Sequence, residues 1–237
     1  MTTGAEVQFT KEVIEKGDDQ YRHFVKETAE QTTDIIGKHL YEFRQFSGAS
    51  VDKEDVPEIF VLLVSYFEVY PELLKTDGIF RVAASQDKIE ELQIHISTGN
   101  YSYITELEKD PHVVANFLKK VLKYMGEPLC TYDLYGRFRD VSDAGQEEEK
   151  VKRLKEICSL LPTINKNVFI FIIKFFRKVI EQSSLNRMNL HNLATVITPN
   201  LFRPFELTAN DLIFAGHLVE TFKLMINRYR EIFGLVA

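Results

Sequence analysis

Residues 77–85 read Asp-Gly-Ile-Phe-Arg-Val-Ala-Ala-Ser, and the rest of the chain is arranged around this stretch. It lies between an apolar helical segment and an amphipathic one. Gly78 can adopt the positive φ that a tight turn requires, while Ile79 and Phe80 can be buried and so anchor the loop. Arg81 follows directly and places a permanent charge on this anchored loop. A lone arginine in a loop is ordinarily paired with a nearby carboxylate, so its meaning depends on the other motifs.

Helical periodicity dominates on both sides of the loop. The segment from Ile59 to Val69 is apolar on nearly all sides, and Pro57 can open it, which predicts a buried central helix. After the loop, Ser85 is a suitable N-cap for an amphipathic helix, and Asp110-Pro111 provides the cap and first residue of another. The C-terminal half predicts four more helices: one with the stripe Val151, Leu154, Ile157 and Leu161, a buried one over 168–180 capped by Asn165, a short one that ends at Thr198-Pro199, and a last one from the Thr208–Asp211 capping box to about Tyr229.

No segment shows a convincing strand alternation, and there is no internal repeat, so the predicted fold is all-α. Apolar residues also recur at helical spacing from about Asp19 to Phe46, which predicts one or two amphipathic helices. The sequence Ser-Gly-Ala-Ser at 47–50 then breaks the pattern. We therefore expect an N-terminal helical extension over residues 1–50, followed by the main domain over 51–237.

Composition excludes several classes of function. The 237 residues are 45% hydrophobic and 27% charged, with a formal net charge of −6, so no overall field favours nucleic acid. Cys130 and Cys158 lie far apart without metal-type spacing, as expected in a reducing compartment. The N-terminus has no apolar signal core, and the longest apolar run, Val168 to Phe176, is too short for a bilayer that needs roughly 20 residues. We expect a cytoplasmic protein without a transmembrane segment.

Motifs for self-contained catalysis are missing from the sequence. There is no Gly-rich phosphate loop followed by Lys-Ser/Thr, no His-Glu-x-x-His and no Gly-x-Ser-x-Gly. The six histidines are scattered. The sequence therefore gives no support to an enzyme with its own active site.

Four stretches, in the same order and at similar intervals, resemble the Rho-family GTPase-activating (RhoGAP) domain. They are Asp-Gly-Ile-Phe-Arg-Val at 77–82, Asp-Pro-His-Val-Val-Ala-Asn-Phe-Leu-Lys at 110–119, Glu-Pro-Leu at 127–129, and the run from Asn186 through Asn-Leu-Ala at 192–194 to Leu201. Each stretch is weak alone, but together they are specific. The resemblance extends from about Val56 to Arg230 and implies a single multi-helix domain.

The resemblance implies a role in switching off a Rho- or Rac-type small GTPase in its GTP-bound form. Such a GTPase hydrolyses GTP slowly because charge that develops on the phosphoryl oxygens is poorly stabilised, and an arginine supplied in trans accelerates the reaction by roughly 10³–10⁵. Arg81 matches this arginine finger. GTP and magnesium are carried by the GTPase, so the chain needs no cofactor of its own and acts as an activator rather than as an enzyme.

Three further residues match partner-facing positions of the family. Lys119 matches a lysine that orients the finger loop and meets the partner, Lys123 stands where the family usually has arginine, and Asn192 matches the asparagine of an Asn-Leu-Ala motif. Lysine lacks the bidentate geometry of arginine, so Lys123 weakens this part of the match. A solvated helix face is the alternative interpretation of both lysines, which lie four residues apart opposite an apolar stripe.

Other departures keep a second function open. The stretch that follows Arg81 has Ala83 and Ala84 where the family more often has Ser-Gly, and Met125-Gly126 replaces Leu-Pro. Alanine does not reach positive φ cheaply, so the loop could be stiffer. The alternative function is a weakly active or inactive RhoGAP-fold module that binds a small GTPase as an effector or scaffold. A further alternative gives the N-terminal helices a scaffold role. The sequence does not identify the target GTPase.

Overall fold

A computed structural model of the chain describes residues 35–43, 56–101, 103–104 and 110–235. Within these residues every regular element is helical, as the sequence predicted, and three are short 3₁₀ helices at Leu40–Glu42, Pro71–Lys75 and Asp140–Asp143. The α-helices are α1 (Glu58–Val69), α2 (Gln86–Ser97), α3 (Pro111–Lys123), α4 (Tyr132–Arg139), α5 (Glu147–Leu160), α6 (Thr163–Glu181), α7 (Ser183–Asn186), α8 (Leu190–Leu201), α9 (Ala209–Ile213), α10 (Ala215–Asn227) and α11 (Tyr229–Ile232).

The helices surround one continuous apolar core. Helix α1 is buried from Ile59 to Phe67, as its all-round apolar sequence predicted. It meets α6 through Phe67 and Phe175, whose ring centroids lie 5.5 Å apart. Burying an aromatic side chain of this size stabilises the fold by about 1.5–3 kcal/mol. Helix α3 packs between α2 and α8, and this arrangement brings α3 beside the loop of residues 77–85.

Residues 35–43 differ from the predicted amphipathic helix. The chain turns at Gly37, which has φ +87°, and only Leu40–Glu42 form a 3₁₀ helix. The side chains of Ile35, Leu40 and Phe43 are nevertheless buried, and the ring of Phe43 lies 6.4 Å from that of Phe60 in α1. The remainder of the predicted N-terminal helices, over 19–34 and 44–46, lies outside the described residues, and the boundary between 1–50 and 51–237 stays a prediction.

A direct backbone junction joins this N-terminal segment to the end of α3. The Gly37 amide donates to the Tyr124 carbonyl at 2.7 Å, and the Gly126 amide donates to the Lys38 carbonyl at 2.9 Å. A Cβ atom at Gly126 would lie 2.7 Å from the Gly37 oxygen and 2.9 Å from the His39 ring. Position 126 therefore requires glycine for this close approach.

Of four predicted helix caps, two agree with the structure, Ser85 stands at the N-cap position of α2 without a capping hydrogen bond from its side chain, and one is wrong. Asp110 caps α3 by accepting from the His112 amide at 2.9 Å, and Thr208 and Asp211 form the predicted capping box. The prediction that Asn165 caps the buried helix is wrong, because α6 already begins at Thr163. Asn165 is buried inside it and donates to the Leu129 carbonyl at 3.0 Å.

Two helix ends in the C-terminal third also differ from prediction. Helix α8 does not stop at Pro199 but continues to Leu201, and the Asn200 side chain donates to the Val196 carbonyl at 2.8 Å in this last turn. The predicted last helix is interrupted near Phe214 and near Arg228, so it forms the separate helices α9, α10 and α11. Among the described helices, none has the length and apolar character needed to cross a bilayer.

Candidate functional site

The loop of residues 77–82, called the finger loop below, is a tight turn built on Gly78. Gly78 has φ +68°, and its carbonyl accepts from the amides of Arg81 and Val82, both at 2.8 Å. Its own amide donates to the Asn186 carbonyl at 2.8 Å, which ties the turn to the end of α7. A Cβ at position 78 would lie 2.6 Å from the Val82 side chain. The turn is therefore closed on itself and fixed from outside.

Phe80 anchors the finger loop in the core. Its side chain is fully buried, with ring centroids 6.1, 5.9 and 5.5 Å from those of Phe67, Phe175 and Phe176. Its backbone has φ +70°, a left-handed conformation that costs a non-glycine residue about 1–3 kcal/mol. The surrounding aromatic packing offsets that cost, and the strained backbone directs the next residue, Arg81, away from the core.

Arg81 has a side chain that is 45% exposed and loosely paired. Its guanidinium lies 3.7 Å from Asp77 Oδ1, and the same carboxylate oxygen lies 3.5 Å from Arg187 Nε. Both distances exceed those of a good charge-assisted hydrogen bond, so Asp77 restrains Arg81 only weakly. The pairing with a nearby carboxylate, expected for a loop arginine, is thus present but does not immobilise the side chain.

Helix α3 holds the two carbonyl groups on either side of Arg81. Lys119 Nζ donates to the Phe80 carbonyl at 2.6 Å, and Asn116 Nδ2 donates to the Val82 carbonyl at 2.9 Å. Desolvation by burial lowers the pKa of Lys119. These two contacts hold the carbonyls of Phe80 and Val82, the residues before and after the arginine, while its guanidinium stays accessible.

The Asn116 contact was not predicted from the sequence, although a signal for it was present. Asn116 stands in the quoted stretch at 110–119, three residues before Lys119, and residues three apart share one face of a helix. Once Lys119 is assigned to the finger loop, Asn116 is expected to face the same loop.

Lys123 lies one turn beyond Lys119, and its ammonium group lies 5.1 Å from the centroid of the Tyr124 ring rather than on the finger loop. Lys119, Lys120 and Lys123 line a groove of about 390 Å³ together with side chains from the N-terminal segment, α2, α3 and α8. The other lining residues are Ile36, Gln86, Ile89, Asn116, Tyr124 and Asn200. None of the described residues that line this groove, called the lysine groove below, is acidic, so it suits a negatively charged surface.

Asn192 lies at the start of α8 and supports the backbone next to the finger loop. Its backbone amide donates to Asn189 Oδ1 at 2.9 Å, and its side-chain amide donates to the Arg187 carbonyl at 3.0 Å. Arg187 itself has φ +59°. The fully buried Asn186 side chain donates to the Leu74 carbonyl at 2.7 Å, so this segment is anchored below the finger loop as well.

The two alanines of the finger region do not occupy strained positions. Ala83 and Ala84 are absent from the described non-glycine residues with positive φ, which are Phe80, Thr131 and Arg187. An alanine in place of the family's glycine therefore does not incur the energetic cost of a left-handed backbone conformation here.

Comparison with known proteins shows the family of the chain. The family model described as the RhoGAP domain matches residues 57–206. Rho GTPase-activating protein gacH of Dictyostelium discoideum is 32% identical over 179 residues, which cover 73% of this chain and 30% of that protein. Human Rho GTPase-activating protein 17 is 34% identical over 128 residues, which cover 54% of this chain and 14% of that protein. The chain thus spans less than a third of the length of these relatives.

Solved structures share the helical architecture. The crystal structure of human Rho GTPase activating protein 15 matches with a TM-score of 0.73 at 23% identity, covering 89% of this chain and 97% of that chain. The BH domain from GRAF, the GTPase regulator associated with focal adhesion kinase, matches with a TM-score of 0.67 at 20% identity, covering 75% and 94%. At these identities the likeness supports the fold, while the family follows from the domain match and the curated relatives. The chain belongs to the RhoGAP domain family.

Proposed function

We propose that this chain stimulates GTP hydrolysis by a Rho- or Rac-type small GTPase and that Arg81 is its arginine finger. The proposal rests on one observation: the residues around Arg81 hold the backbone beside it but leave its side chain accessible. Lys119 and Asn116 hold the carbonyls of the two residues that flank it, Phe80 and Val82, whereas its guanidinium is 45% exposed and only loosely paired. This combination presents an accessible cation on a fixed backbone.

The chemistry follows from where charge develops during GTP hydrolysis. In the transition state, negative charge is spread over the phosphoryl oxygens, and a planar guanidinium can stabilise it while also bonding a neighbouring carbonyl. A backbone fixed in advance avoids part of the ordering cost when the partner docks. The GTPase brings GTP, magnesium and the attacking water, so this chain contributes a catalytic side chain in trans and binds no cofactor itself.

Partner binding is assigned to the lysine groove and the residues beside it. Lys119 and Lys123 give it positive charge, and Asn192 supports the adjoining segment below the finger loop. Such a surface complements an acidic region of a GTPase in its GTP-bound form and would speed encounter through electrostatic steering. This activity belongs in the cytoplasm, where small GTPases of this type act, and requires neither nucleic acid nor a membrane span.

Phosphate release from GTP-loaded Rho, Rac and Ras-type GTPases tests the proposal. The chain at substoichiometric amounts is expected to accelerate release from a Rho- or Rac-type member, and Arg81→Ala should reduce that acceleration by about 10³-fold or more. Arg153→Ala is the matched control, because Arg153 is 46% exposed and pairs with Glu149 on the distant helix α5. Full acceleration by Arg81→Ala would remove Arg81 from the reaction.

One observation favours a second function, a module that binds a GTPase with little or no stimulation of hydrolysis. Lys123 contacts the Tyr124 ring instead of bracing the finger loop. Tight binding of the unmodified chain to the GTP-loaded GTPase without faster phosphate release would support this second function over the first.

A further inference from the structure

We propose that Arg187 is a positioning residue for the finger: it holds the Asp77 carboxylate when Arg81 leaves that carboxylate to reach the phosphate. This inference rests on the proposed function of Arg81. Arg187 would not touch the nucleotide itself but would act through Asp77.

The first support is the shared contact. Arg81 and Arg187 approach the same oxygen, Asp77 Oδ1, at 3.7 and 3.5 Å. All three side chains are largely accessible, with exposed fractions of 45% for Arg81, 54% for Asp77 and 71% for Arg187. One carboxylate divided between two guanidinium groups binds each of them less tightly than it would bind one alone.

The second support is the backbone that places Arg187. A positive φ of +59° is unusual for arginine, and the carbonyl of this residue is held by the Asn192 side chain at 3.0 Å. The preceding carbonyl, that of Asn186, accepts from the Gly78 amide at 2.8 Å. The segment that carries Arg187 is therefore bonded directly to the turn that carries Arg81, and the fold holds the two backbone segments close enough for both side chains to reach Asp77.

The electrostatic consequence concerns the moment of GTP hydrolysis. When Arg81 moves to the phosphoryl group, Asp77 loses one of its two cations close to a strongly negative substrate. An uncompensated carboxylate there would repel the phosphate and would also pull Arg81 back. Arg187 stays on Asp77 and neutralises it, so the movement of Arg81 leaves no unpaired negative charge beside the nucleotide.

Single-turnover GTP hydrolysis with variants of the full chain tests this role. Arg187→Ala is expected to lower the stimulated rate constant about tenfold while the affinity for the GTP-loaded GTPase stays within about twofold. Arg187→Lys should recover part of the loss because it keeps the charge. Adding Asp77→Asn to Arg187→Ala should recover the rate, since the carboxylate that needs neutralising is then gone. The Arg153→Ala control should match the unmodified chain.

A second measurement does not depend on any GTPase. Phenylglyoxal modifies accessible arginine side chains, and peptide mass spectrometry reports the extent at Arg81. In Arg187→Ala, Arg81 is the one ion-pair partner left to Asp77 among the described residues, so labelling of Arg81 should be a few-fold slower than in the unmodified chain. In Asp77→Asn it should be faster.

The outcomes separate this inference from the proposed function. Equal labelling of Arg81 in the unmodified chain and Arg187→Ala, or a rate loss in Arg187→Ala that Asp77→Asn does not reverse, would overturn the inference even if Arg81 is the finger. An unmodified chain that stimulates no GTPase would instead contradict the proposed function, and with it the catalytic part of the inference. An unchanged unfolding midpoint in each variant confirms that the fold is intact.

Discussion

Lys119 reaches across from α3 to the carbonyl of Phe80, and this hydrogen bond fixes the peptide that carries Arg81. The residue that would act on the phosphate is thus oriented by neighbours: by the buried ring and left-handed backbone of Phe80 and by the lysine on the adjacent helix. A small displacement of a catalytic group can cost a large factor in rate. The effect of Lys119 should therefore exceed that of an ordinary surface lysine.

Lys119→Met tests this orientation. The methionine keeps most of the aliphatic stem but donates no hydrogen bond, which leaves the Phe80 carbonyl unsatisfied at a cost of about 1–3 kcal/mol. We expect at least about tenfold weaker stimulation of phosphate release and weaker binding to the GTP-loaded GTPase, because Lys119 also lines the lysine groove. Fluorescence titration and phosphate release measure the two effects. Lys155→Met on α5 is the control, and equal activity of Lys119→Met would show that the hydrogen bond does not matter.

The sequence motifs predicted Arg81, Lys119 and Asn192 as candidates, but they did not predict how these side chains are connected. The contact between Asp77 and Arg187 joins two segments that lie far apart in the chain and meet only after the core has formed. No local pattern marks such a pair. The left-handed conformations of Phe80 and Arg187 could not be predicted from the sequence either, because neither residue type favours positive φ.

At the scale of helices, periodicity predicted which segments are helical better than it predicted where they begin and end. The apolar stripe reports the buried face of a helix, and this is why α1, α2 and α3 agree with the prediction. It does not report backbone continuity, so the breaks near Phe214 and Arg228 were missed. Asn165 was misassigned as a cap because its side chain serves a tertiary contact with Leu129 instead.

The junction between the N-terminal segment and α3 makes a prediction at this scale. Gly126→Ala would place a Cβ 2.7 Å from the Gly37 carbonyl oxygen, where the obstacle is backbone and cannot rotate away. We expect a loss of about 1–3 kcal/mol in the free energy of unfolding, measured by urea denaturation. Hydrogen exchange should also show faster exchange of the Gly37 amide, which bonds Tyr124 in the native structure.

The chain offers a matched control for this substitution. Gly136 lies inside α4, and a Cβ there would meet no atom within 4 Å. Gly136→Ala should therefore stabilise the protein slightly, by roughly 0.5–1 kcal/mol, because alanine is a better helix former. If both substitutions changed stability in the same direction and by the same amount, the close packing of residues 37–39 on Gly126 would not be the cause.

For the whole molecule, the sequence predicted the all-α fold class and the RhoGAP family. The predicted helical core from about Val56 to Arg230 includes the matched RhoGAP region at 57–206. Ile35, Leu40 and Phe43 join this core ahead of α1, an outcome that the sequence had left open. Their spacing resembled that of an amphipathic helix. With so few apolar residues, the same spacing also fits an irregular turn whose side chains happen to be buried.

The two buried thiols give the intact protein a defined response to alkaline pH. Burial raises the pKa of both Cys130 and Cys158 to about 12, whereas a thiol in the unfolded chain ionises near pH 8.5, about its ordinary value. Above that lower pKa the unfolded chain releases protons that the folded chain retains. The stability that neutral thiols contribute is therefore complete below about pH 8.5 and is lost as pH rises towards 12, by about 1.4 kcal/mol per pH unit for each thiol.

Urea denaturation at about pH 8 and about pH 10 measures this loss, which should come to about 2 kcal/mol for each thiol over that interval. Replacing either cysteine with alanine lowers stability at about pH 8, because a buried group is removed, but it also removes one group that titrates. Each variant should thus lose about 2 kcal/mol less between the two pH values than the unmodified chain does. A variant with the same pH dependence as the unmodified chain would show that the thiol is not held neutral by the core. Tyrosine and lysine ionisation contribute equally to all three proteins, so the difference between them isolates the thiols and tests whether Cys130 and Cys158 are as inaccessible as the packing around them implies.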